Sequence, residues 1–162
     1  MSCPRPDRSN DLTAPAAEPP FALEFDASED SVRGALGAVR RHLSERGYDA
    51  ECCSTVEVVL AEALNNIVEH AYAGTGTGEV RLEMLRTGTG LRFVLCDKGA
   101  PLPGLTLPPR RLPRRDVSRA NLPEGGFGWF LIHTLTTALD YSRAQHENRL
   151  SFEIETNFGP SA

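Results

Sequence analysis

Apolar and polar residues alternate in FALEF, residues 21 to 25, as they do on a half-buried or edge strand. SEDSVRGALGAVRRHLSERG then changes to helical spacing, with a Ser or Asp cap in front and Gly47 at the end. A second helix is expected from Asp49 to about Tyr72, stopped by the glycines of AGTGTG. EVRLEML and LRFVLCD read as strands joined by the turn TGTG, the first alternating and the second passing into a continuous buried run. Regularity is lost from residue 98 to residue 125, which hold half of the 12 prolines together with Lys98, Arg110, Arg111, Arg114, Arg115 and Arg119. So long an irregular stretch inside a compact domain points to a lid or an insert. FGWFLIHTLTTAL restores a helix, and LDYSRAQ with NRLSFEIET predicts a closing hairpin.

At 162 residues the chain holds one core, expected over residues 21–157, between a disordered tail at 1–20, rich in Pro, Ala, Ser and Asp, and a short one at 158–162. The 40% hydrophobic content suits a globular domain. A formal charge of -5 argues against direct nucleic-acid binding, which needs a dominant basic face. Cys3, Cys52, Cys53 and Cys96 have neither CxxC nor zinc-ligand spacing, and thiols of this kind belong in a reducing compartment. No apolar run is long enough to span a membrane, and the first residues lack the apolar centre of a signal peptide, so a cytoplasmic protein is expected.

The helix expected after Asp49 carries a polar stripe on an otherwise apolar cylinder. Val56, Leu60, Ala63, Ile67 and Ala71 form the inward face, with Val59 and Leu64 on its shoulders. Glu62, Asn66 and His70 are spaced four apart, and each step of four drifts by about 40° around the axis. The stripe therefore slants inward: Glu62 starts away from the core, Asn66 lies at its margin, and His70 falls between Val59 and Ala63. Burying such groups without partners costs about 1 to 3 kcal/mol each, so either neighbouring backbone or a ligand must meet them.

Two distant stretches bear on that choice. DKGAP follows a buried strand, placing the Asp97 carboxylate at a pocket edge, where it can accept from an exocyclic amine, and Gly99 lets backbone approach closely. EGGFGWFLI opens a helix at Gly126 and Gly128, where free backbone N–H groups favour phosphate. Taken together, E-x-x-x-N-x-x-x-H, D-x-G and G-x-G resemble the Bergerat-fold ATPases shared by gyrase, Hsp90 and histidine kinases. The wording LAEALNNIVEHAY, DKGAP and GGFGWFLI most resembles the bacterial anti-sigma-factor serine/threonine kinases within that superfamily.

The resemblance implies an α+β fold, a two-layer sandwich in which helices cover one face of a mixed, mostly antiparallel sheet, with an ATP lid. It implies ATP and Mg2+ as cofactors: Asn66 on the metal, Asp97 on the adenine amine, Gly99, Gly126 and Gly128 around the nucleotide, and His70 on its ligand side. Glu62 becomes the catalytic base, one helical turn from the metal ligand. The implied partners are an anti-anti-sigma STAS-domain protein as substrate, a sigma factor that is sequestered, and a second copy in a homodimer. Pro101 departs from the family's second glycine, and residues 102 to 122 do not align, so no lid arginine is assigned among Arg114, Arg115 and Arg119. GTGTG at 74–78 lacks the GK[ST] of a P-loop and is read as a turn. The alternative is a non-catalytic, ATP-gated binding module; Glu62 favours the enzyme, because nucleotide binding alone does not need a carboxylate there. The ATPase half of a histidine kinase fits less well, since only a short tail stands where a phosphoacceptor helix pair is expected.

Overall fold

The computed structural model describes residues 19–73, 77–110 and 126–157. Strand β1 (Phe21–Asp26) leads into helices α1 (Glu29–Glu45) and α2 (Ala50–Asn66), and a π-helical turn, Ile67–Ala71, extends α2. Strands β2 (Glu79–Arg86) and β3 (Gly90–Asp97) follow, then a short 3-10 turn at Pro103–Leu105, helix α3 (Gly126–Leu135), and strands β4 (Thr137–Ala144) and β5 (Glu147–Glu155). The tail residues 1–18, the turn residues 74–76, the lid segment 111–125 with its Arg114, Arg115 and Arg119, and residues 158–162 lie outside the described residues.

Both long helices begin where the sequence supplies a cap. Ser28 accepts from Ser31 N at 3.2 Å, and Asp49 accepts from Cys52 N at 2.7 Å, each satisfying a backbone donor that the first turn would leave open. The five strands run in the order β1-β2-β3-β5-β4. A mixed, mostly antiparallel sheet is expected, and every described pairing is antiparallel. β5 lies between β3 and β4, so the chain must leave β3, pass through α3, form β4 at the far edge and return as β5 to pair beside β3. That route brings α3 against α2.

One face of the sheet and the inward faces of α1 and α2 make the core. Val80, Leu82 and Met84 of β2, Leu91, Phe93 and Leu95 of β3, and Leu150, Phe152 and Ile154 of β5 share the helix side by the period of two. Phe93 and Phe152 stack at 5.5 Å between centroids, and full burial of each such ring stabilises by about 1.5–3 kcal/mol. Val94 and Cys96 have the opposite parity and are nevertheless buried. Cys96 pairs laterally with Arg81 and Arg149, and Val94 with Glu83 and Ser151, whose side chains cover the middle strand.

Helix α3 stops earlier than its apolar run suggests. It ends at Leu135 and Thr137 already opens β4. Thr136 Oγ1 donates back to Ile132 O at 2.5 Å, a local bond that competes with continued helix, and β-branched Thr136 and Thr137 suit the strand better.

Candidate functional site

The last turn of α2 decides what the polar stripe can do. Tyr72 N bonds to Ile67 O at 3.1 Å, an i→i+5 closure that spends an extra residue on the turn. Directions computed at 100° per residue therefore fail beyond Ile67. His70, expected between Val59 and Ala63, is exposed, while Ile67 stays in the core. Glu62 and Asn66 precede the π-turn and are both half-buried, Asn66 at the margin its spacing predicts and Glu62 further in than the direction away from the core expected for it.

At one end of the stripe, α3 starts beside Glu62. A methyl group at Gly128 would lie 2.6 Å from Glu62 Oε2, so the missing side chain is what admits the carboxylate. Glu62 has no ion pair or hydrogen bond among the described residues. Gly126 is the first described residue of α3, and the N–H groups of a helix's first turn have no intrahelical acceptors. The dipole adds partial positive charge there. Asn66, one turn along α2 from Glu62, has its Nδ2 buried with no partner among the described residues.

At the other end, the loop after β3 is clamped to the π-turn. Ala100 N donates to Ala71 O at 2.7 Å. A methyl at Gly99 would sit 2.5 Å from Ala71 O. Gly99, expected to admit a ligand, is thus needed for contact between loop and helix. Tyr72, which sequence reasoning did not single out, donates its hydroxyl to Glu79 O at 2.9 Å and accepts from Lys98 N at 2.8 Å, tying the end of α2 to both β2 and the loop.

Asp97 closes β3 and is 6% exposed. Its Oδ1 accepts from Gly99 N at 2.9 Å and from Asn148 Nδ2 at 2.9 Å; Oδ2 is left without a partner among the described residues. Burial pushes the Asp97 carboxyl above its ordinary range, and the Asn148 and Gly99 hydrogen bonds and the nearby Arg143 charge oppose that rise without cancelling it. Asn148 also escaped the sequence reading. It had a signal: it shares the period-two face of Leu150, Phe152 and Ile154, and a polar residue on a core-facing row needs partners.

The structure thus brings Glu62 to Gly128, and Asp97 with Gly99 to the end of α2, with Asn66 between. From Glu62 to Ala71 the helix rise spans on the order of 13 Å, so a ligand bridging both ends must be extended. His70 does not join them on the buried side. Outside this site, at the start of α2, burial pushes the Cys52 thiol up to about 11, which disfavours the reactive thiolate. Among the described residues no group of His, Cys, Asp and Glu could by itself hold a metal ion, and no helix is long and apolar enough to cross a membrane.

The carboxylate at a strand end, the polar helix stripe and the glycine-opened helix thus stand on one antiparallel α+β sandwich. The sequence matches the family model of the histidine kinase-like ATPase domain over residues 25–154, and the chain belongs to that family. Its place there is with the anti-sigma serine kinases. It is 32% identical over 132 residues to the serine-protein kinase RsbW of Bacillus licheniformis, across 74% of this chain and 76% of that one. With RsbW of Listeria monocytogenes serotype 4a (strain HCC23) the identity is 27% over 116 residues, across 71% and 74% of the two chains. In fold it resembles the crystal structure of the RsbU and RsbW domains of Rv1364c from Mycobacterium tuberculosis, with a TM-score of 0.56 at 17% identity. That match covers 85% of this chain and about a third, 32%, of the other.

Proposed function

We propose that residues 21–157 form a single protein serine/threonine kinase domain that binds ATP with magnesium along α2 and phosphorylates an anti-anti-sigma protein of the STAS type. Between phosphorylation events it holds a sigma factor, so that the two partners compete for it, and it works in the cytoplasm. The observation that carries this reading is the contact between Glu62 and Gly128, which sets a carboxylate without partners among the described residues against the start of α3, where phosphate is favoured.

In this reading Asp97 Oδ2 accepts from the 6-amino group of adenine, and the first-turn N–H groups at Gly126 and Gly128 receive the phosphates. The metal fits the residues present. Asn66 has a buried amide atom with no partner among the described residues, and turned over about its last torsion the amide offers Oδ1 to a hard cation. A cation that takes most of its ligands from phosphate and water needs no cluster of carboxylates. When bound there, magnesium neutralises phosphate charge. Glu62 takes the proton from the serine hydroxyl of the partner as that oxygen bonds to the γ-phosphorus; the bond from phosphorus to the β,γ-bridging oxygen breaks, and ADP leaves.

Glu62→Gln tests the assignment, because glutamine keeps the shape but cannot take a proton. Single-turnover transfer from labelled ATP to a STAS-domain protein encoded in the same operon is expected to fall about a hundredfold or more, with nucleotide and partner binding near normal. Equal rates in the two proteins would remove Glu62 from the chemistry. Tight ATP binding with no transfer by the unmodified protein to any candidate would leave an ATP-gated binding module instead.

A further inference from the structure

Asn148 is 5% exposed, and every polar hydrogen and lone-pair direction of its amide is occupied. Its Oδ1 accepts from Tyr141 Oη at 2.7 Å and from Arg143 Nη1 at 2.6 Å. Its Nδ2 faces Asp97 Oδ1 at 2.9 Å, Ala100 O at 3.0 Å and Gly99 O at 3.3 Å. The orientation of the amide is fixed by chemistry: a guanidinium only donates, while a carboxylate and two carbonyls only accept, so the flipped amide would oppose like to like at all of these contacts, and only the Tyr141 hydroxyl could adapt. The donors behind it are anchored in turn. Tyr141 Oη accepts from Leu102 N at 3.0 Å, and Arg143 Nη1 also donates to Gly99 O at 3.0 Å.

The hairpin of β4 and β5 therefore grips the loop 99–102 and aims a single N–H at Asp97. With Gly99 N as the second donor, both bonds converge on Oδ1 and fix the carboxylate plane, leaving Oδ2 as its open acceptor. A carboxylate left to rotate would offer either oxygen to a base, or neither.

We propose that Asn148, held by Tyr141 and Arg143, is a positioning residue that makes Asp97 selective for a purine bearing a 6-amino group. This rests on the reading of Asp97 as the adenine contact, and it adds the residues that set how strictly the amine is required. A buried asparagine that only satisfied loop carbonyls would affect folding, and would weaken all nucleotides alike. A positioning residue affects the preference for the amine.

The experiment measures the dissociation constants of magnesium-ATP and of the magnesium complex of purine riboside triphosphate, which lacks the amine, for the unmodified protein, Asn148→Ala and Tyr141→Phe. The unmodified protein is expected to prefer ATP by about tenfold or more. Asn148→Ala should lose most of that preference while binding the deaminated nucleotide within about threefold of the unmodified protein, and Tyr141→Phe should lose part of it. Thermal melting of each variant shows that it is folded; if Asn148→Ala is not, Tyr141→Phe carries the test through its preference alone. Equal weakening of both nucleotides, or an unchanged preference in folded variants, overturns the positioning role and leaves the ATP site standing. Binding of neither nucleotide by the unmodified protein overturns the ATP site, and the positioning role with it.

Discussion

Around Asp97 every polar atom of Asn148 has a partner, whereas around Glu62 and Asn66 a carboxylate and an amide nitrogen have none among the described residues. These are the two ends of one helix stripe. The β3 end is built by strand register, with Asp97 directly opposite Asn148, and by a loop bonded on both sides. The α3 end is built by a glycine contact and a helix start. The difference teaches where binding energy is prepared in advance. In the proposed reading, a base meets a finished, preorganised acceptor, while phosphate and metal meet groups whose partners arrive only with the ligand.

The largest effect expected at the finished end comes from Asp97→Asn. The asparagine Oδ1 can still accept from Gly99 and Asn148, but an N–H now faces the adenine amine, and ATP affinity should fall by about ten- to a hundredfold in a calorimetric titration. The same substitution has a thermal signature. Burial raises the folded-state pKa of Asp97, so its favourable contribution to folding is complete only below the unfolded value of about 3.9 and is lost as the pH rises through the folded value. Asp97→Asn is therefore expected to melt higher than the unmodified protein at neutral pH, with the gap closing in acid. An unchanged or lower melting temperature at neutral pH would mean that burial does not penalise the charge.

A pair of glycine substitutions sharpens the contrast between the ends. Gly99→Ala drives a methyl into the Ala71 backbone, which can yield only by moving the loop or the π-turn, and a loss of about 1–3 kcal/mol in denaturant unfolding is expected. Gly128→Ala meets chiefly the tip of the Glu62 side chain, which can swing aside, so the stability loss should stay under about 1 kcal/mol while phosphate transfer falls because the carboxylate is displaced. Equal stability losses at the two sites would erase the distinction between a rigid and a yielding end. The smallest effect concerns the hairpin that carries the Asn148 network. Gln145 and His146 turn it at φ 51° and 65°, a conformation that Asn-Gly adopts more easily. The double substitution Gln145→Asn with His146→Gly should stabilise by a few tenths to about 1 kcal/mol, read in the same unfolding experiment.

Much of this was legible in the residues, and the exceptions share a cause. Periodicity located both long helices and all five strands, because each buries one face and local spacing records it, while of the Ser or Asp expected to cap the first helix Ser28 is the one used, and Asp49, expected to open the second, caps it instead. The inward direction of His70 was lost because a single i→i+5 closure at Tyr72 breaks the helical period, and no residue pattern announces such a turn. The end of α3 was misjudged because TTAL is as apolar as the helix before it, and only pairing with β5 makes Thr137 a strand residue. Glu62, Asn66 and Asp97 stood out through their spacing and flanking glycines. Asn148 did not, since its importance comes from lying across the sheet from Asp97, and register between distant strands is a tertiary fact.

The central claim is that the stripe on α2 binds ATP through a metal held at Asn66. Calorimetric titration of ATP into the unmodified protein and Asn66→Ala, each with and without magnesium, tests it most directly. The account predicts a single site whose affinity rises with magnesium in the unmodified protein, and a variant that melts normally yet loses most of that rise, about tenfold or more in affinity. Equal magnesium-dependent binding by the two proteins would contradict it.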